Sequence, residues 1–148
     1  MASRPLWIVA LLVGLAWALP ALADPVLDGI KALPVAVEDV RIAGTWEKDG
    51  KTGAYRTVIA RTGGEKVTAR FFVQWVAFGA DGGGTIDNTI EIKELAEKKV
   101  DIVDYTSESD DTGLSVYIEV VDPSGEGDQN YELTVISPTE YKFGPASN

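Results

Sequence analysis

The sequence predicts an all-β domain, an antiparallel sandwich of about seven strands, with a small up-and-down β-barrel as the alternative. Three observations point there. From Val40 onward the chain is a succession of short runs in which apolar and polar residues alternate, the period of a strand with one buried face. Clusters rich in Gly, Asp, Ser and Thr separate the runs, as tight turns require. The chain contains neither Cys nor His, so a packed apolar core, rather than disulfides or a zinc site, must hold the domain together.

The elements follow in order. Val40, Ile42 and Trp46 are expected on one face of a first strand, turned by Asp49-Gly50, a strong hairpin signal. Tyr55 to Arg61 returns as the second strand, and Thr62-Gly63-Gly64-Glu65 turns the chain again. The third run is the longest, with Val67, Ala69, Phe71, Val73, Trp75 and Ala77 on one face. After a glycine-rich loop at residues 79–84, Ile86, Ile90 and Ile92 are expected to point one way in a fourth strand. Glu91 to Lys99 is read as that strand running into a charged turn, although Leu95, Ala96 and the Glu94–Lys98 spacing also suit a helical turn. Val100, Ile102 and Asp104, with Val103 and Tyr105 opposite, suggest a fifth strand. Leu114, Val116, Ile118 and Val120 mark a sixth, and Tyr131, Leu133 and Val135 a seventh.

The N-terminal part has a different character. Arg4, an unbroken apolar run from Leu6 to Leu19, Pro20 and the small-residue site Ala21-Leu22-Ala23 form a signal-peptide pattern. Residues 1–23 are therefore expected to be removed, leaving an exported chain, periplasmic or secreted, without stable membrane insertion. Residues 24–38 are a leader: Asp24-Pro25 suits the start of a short helix with Val26, Leu27, Ile30 and Leu33 on one side. Residues 39–148 form the single β domain, long enough for its own core.

Composition limits the chemistry. Without His or Cys, catalytic triads, thiol chemistry and the usual zinc, haem and iron–sulfur ligands are lost. The acidic residues lie mostly in turns and on polar strand faces, where no raised pKa is expected. No enzyme activity and no cofactor are expected. The acidic loops Ser107–Gly113 and Asp122–Asp128 lack the ligand spacing of a calcium loop, so no metal is assigned. A net charge of −10 repels phosphate backbones, which argues against nucleic acid as a partner.

Gly44-Thr45-Trp46 resembles the opening of the first strand in lipocalins and in the avidin family, both up-and-down barrels, and Asp104-Tyr105 is similar to a pair that lipocalins carry midway. The resemblance ends there. No Arg follows Arg70 to pack on the first-strand Trp, and beyond residue 23 only Trp46 and Trp75 are available to wall a pocket. Core packing is the default for both tryptophans.

One face has no home in a simple two-faced strand. The polar side of the third run becomes apolar at Phe72, Val76 and Phe78, which therefore need cover from the leader or from a partner. Those residues are the candidate interaction surface. The expected function is that of a small binding or accessory module for a protein or an extracellular polymer, with the apolar-ligand barrel second and a carboxylate-based hydrolase third.

Overall fold

The structure, a computed structural model, describes residues 24–125 and 127–147. It falls into two units divided between Leu33 and Pro34. The first contains a short helix, α1 (Pro25–Lys31). Asp24 caps it, its Oδ1 accepting hydrogen bonds from the backbone N–H groups of Val26 (3.0 Å) and Leu27 (3.1 Å). No residue of this helix is buried. The signal-peptide segment lies outside the described residues.

The second unit is a β-sandwich of two four-stranded antiparallel sheets. β1 (Val37–Lys48), β2 (Lys51–Thr62), β3 (Thr68–Phe78) and β4 (Gly84–Glu91) form one meander. A short helix, α2 (Lys93–Lys98), leads to the other: β5 (Asp101–Asp110), β6 (Gly113–Val121), β7 (Asp128–Ser137) and β8 (Glu140–Pro145). The strands do not close into a barrel. Eight strands replace the expected seven, because Glu140–Pro145 pairs with β7. Two stretches meet the sequence reading directly. Asp49 and Gly50 both have positive φ (52° and 74°), as the two-residue hairpin between β1 and β2 demands. Phe71, Val73 and Trp75 alternate into the core along β3.

The core lies between the sheets. Phe71, Leu114, Val116, Leu133 and Val135 have no exposed surface, and alternation along β3, β6 and β7 supplies them. Its polar exception among the described residues is Thr57, fully buried on β2, whose hydroxyl pairs with that of Tyr105 at 2.6 Å and reaches the Arg41 carbonyl at 3.3 Å. Burial without those partners would cost more than their bonds contribute. At the edge where β1 approaches β5, Arg61 clamps the sheets. Its Nε meets Asp101 at 2.8 Å and its Nη2 donates to the Ile102 carbonyl at 2.6 Å.

Three bulges overturn expected facings. An extra residue at Ala43 shifts the β1–β2 register between Ile42 and Gly44. Because side chains alternate with period 2, one inserted residue reverses every later one. Val40 and Ile42 thus face outward and are exposed, while Trp46 faces inward against the core. The same device at Asp87 in β4 sends Ile86 outward and leaves Ile90 packed on the core. In β5 the bulge at Val103 lets both Ile102 and Tyr105 point inward.

Glu91–Lys99 is also corrected. Lys93–Lys98 is helical and ends at Lys99 in the left-handed conformation (φ 55°). Leu95 carries no exposed surface, nor does Ile92 just before the helix. Backbone bonds from Ile92 N–H to the Phe71 carbonyl (2.9 Å) and from Ala69 N–H to the Val100 carbonyl (2.8 Å) fasten both flanks of α2 to β3. Burial of Leu95 thus decides a segment whose local signals were balanced.

Candidate binding surfaces

The expected interaction residues, Phe72, Val76 and Phe78, do share the outer face of the β1–β4 sheet. Phe72 pairs in register with Val58 of β2, which pairs in turn with Val40 of β1. Val76 lies between Ala54 of β2 and Ile86 of β4. Phe78 is 54 % exposed, whereas Phe72 and Val76 are half-buried. Phe72 is shielded by the Arg70 guanidinium, 5.0 Å above its ring. Arg70 is itself held by a bidentate pair to Glu91 at 2.7 and 2.8 Å. That pair holds the Glu91 carboxyl below its usual pKa, chiefly through the hydrogen bond from Arg70.

The surface is larger than the sequence suggested. Val40, Ile42 and Ile86 join it as exposed neighbours, and all three were assigned inward because alternation alone cannot locate a bulge. The outer face of the other sheet differs. One cross-strand row reads Glu108, Ser115, Thr134 and Lys142; another reads Asp104, Glu119 and Asn130. The outer face of the β1–β4 sheet is thus the more apolar of the two, while on the other Val103 and Tyr117 are exposed among polar rows.

A second feature was not legible in the sequence. At the end of the sandwich opposite α2, where the β1–β2, β5–β6 and β7–β8 turns gather, the sheets part around a cleft of about 460 Å³. Trp46, Tyr55 and Trp75 form its wall, with Ile136 and Pro138 across from them. Tyr55 and Trp75 meet edge to face, ring centroids 5.8 Å apart at 71°. Trp46 is half-buried, and its indole Nε1–H donates to the Ala54 carbonyl at 3.2 Å. Glycine at position 53 makes this placement possible, since a Cβ there would overlap both the Trp46 ring and the Val76 carbonyl. The tryptophans thus meet the core-packing expectation without being sealed inside the core. They pack on the core and also line a cavity.

The cleft rim is acidic. Glu47, Asp49, Asp87, Asp110 and Asp111 stand there with Lys48 and Lys51. Asp110 shapes the β5–β6 turn: its Oδ1 accepts from Thr112 N–H (2.8 Å), Thr112 Oγ1 (2.6 Å) and Gly113 N–H (3.2 Å). Those bonds, the Thr112 hydroxyl first, lower its pKa. Burial raises the pKa of the Tyr55 phenol, and the Asp110 charge adds to the effect. In the other acidic loop Asp122 likewise uses Oδ1 in its own turn, accepting from Ser124 N–H (2.7 Å) and Oγ (2.6 Å).

Comparison with protein-family models, with curated proteins and with solved structures finds no match. The two surfaces must be interpreted from their own chemistry.

Proposed function

We propose that the chain is exported and acts as a non-catalytic binding module, engaging a partner protein through the outer face of the β1–β4 sheet. The observation that carries this reading is the asymmetry of the two outer faces. Val40, Ile42, Phe78 and Ile86 are exposed on one sheet beside the half-buried Phe72 and Val76, while on the other the exposed Val103 and Tyr117 stand among charged and hydroxyl rows. Covering each large apolar side chain is worth roughly 1.5–3 kcal/mol, enough for several together to offset much of the cost of association. The net charge of −10 opposes pairing of two copies, so a neutral or basic partner fits better than self-association. The signal-peptide pattern supports export, and the lack of His and Cys supports a role without catalysis.

Site-specific photo-crosslinking in producing cells tests the reading. A photoreactive residue at Ile42 or Ile86 is expected to capture one discrete protein, and the same residue at Ser115 on the opposite sheet is not. Equal capture from both sheets, no capture, or dimers of the chain alone would refute it. Retention of the purified protein on an extracellular polysaccharide, abolished by Phe78→Ser, would replace the protein partner with a polymer.

A further inference from the structure

We propose that the cleft lined by Trp46, Tyr55 and Trp75 binds an organic cation, an alkylammonium or guanidinium group carried by a small amine or by a basic peptide side chain. This site is separate from the sheet face and does not depend on that reading.

The first observation is an unused polar group. Tyr55 is only 5 % exposed, and its hydroxyl has no hydrogen-bond partner among the described residues. Yet no fully buried side-chain nitrogen or oxygen among those residues lacks a partner. The hydroxyl is therefore accessible, and the opening that Tyr55 lines is the cleft. A ligand there meets an oxygen that the fold itself does not use, and pairing such a group adds stabilisation without breaking an existing bond.

Charge decides the class of ligand. Carboxylates outnumber ammonium groups around the rim, and none of the salt bridges among the described residues uses a rim carboxylate. Asp110 spends only its Oδ1 on the turn, which leaves Oδ2 available for a charge-assisted bond. The negative faces of aromatic rings attract cations, and attraction strengthens where water is partly excluded. An anion would meet repulsion from this rim. A neutral sugar would have to desolvate the carboxylates without a compensating charge. The volume, about 460 Å³, lies within the range of small-ligand sites.

Titration of the isotopically labelled, purified protein, followed by backbone and indole NMR shifts, tests the proposal. The ligands are cadaverine, a tetralysine amide, glucose and acetate. Saturable shifts are expected in the β1–β2 and β5–β6 turns and at the Trp46 indole, with affinity falling as salt rises. Saturation by cadaverine would assign a free amine; saturation by the peptide alone would assign a basic segment. Tyr55→Phe keeps the ring and should leave the unfolding midpoint unchanged, while weakening binding about fivefold, as loss of one hydrogen bond does. Asp87→Asn with Asp111→Asn should weaken it comparably and flatten the salt dependence. Absence of saturation with both cations, equal shifts with glucose, or unchanged affinity in both variants would overturn the proposal.

Discussion

Replacing each tryptophan by alanine tests whether the end of the sandwich beside the β1–β2 turn is open. Trp75 is 7 % exposed and belongs to the core, whereas Trp46 packs on that core while only half-buried. Truncating a buried aromatic side chain removes most of its transfer energy and leaves a cavity, so Trp75→Ala is expected to cost about 3–5 kcal/mol. Trp46→Ala forfeits a smaller buried area plus the Nε1–H bond to Ala54, for a total of about 2–3 kcal/mol. Water can refill the space left by Trp46 from the cleft, which limits the cavity term. Urea unfolding of the two variants at one pH and ionic strength gives the comparison directly. Equal losses near the upper figure would mean that Trp46 is sealed inside a closed core. That result would remove the cleft, and with it any ligand role for this end of the molecule.

Two further outcomes follow from named contacts. Leu95→Ala should destabilise the domain by about 2–5 kcal/mol in urea unfolding, because Leu95 is fully buried; a negligible loss would restore the exposed charged turn. The hydrogen bond from Arg70 holds the Glu91 carboxyl below its usual pKa, so its contribution is full above the unfolded-state pKa and disappears as pH falls through the folded one. The Arg70 side chain is 47 % exposed, so solvent screening holds the effect to about 0.2–1 kcal/mol. Glu91→Gln should lower stability at pH 7 but not at pH 2, and an equal loss at both values would show that the charge is not responsible.

The sandwich was legible because its central strands obey simple alternation. Phe71, Val73 and Trp75, or Leu114, Val116 and Ile118, repeat every second residue and enter one core without interruption. The edge strands were misread for a shared reason. Ala43, Asp87 and Val103 sit at register shifts, and a bulge is a property of two paired strands, invisible in either one alone. Of the apolar outer face, Phe72, Val76 and Phe78 could be named from β3. Val40, Ile42 and Ile86 could not.

By itself the sequence determined which side-chain chemistries the chain can draw on and the sandwich architecture. The absence of His and Cys, the −10 charge, the signal-peptide pattern and the period of two are local or additive properties, and the alternation suffices for two sheets facing one core. Only the tertiary structure decided which side chains meet. Trp46 and Tyr55 are nine residues apart, but Asp110 comes from the other sheet, and their convergence depends on sheet packing and on how far the turns splay. The same holds for Leu95, whose helical segment is marginal alone and is settled by burial. Long-range packing, which no short window contains, separates a wall of the core from a wall of an open cleft.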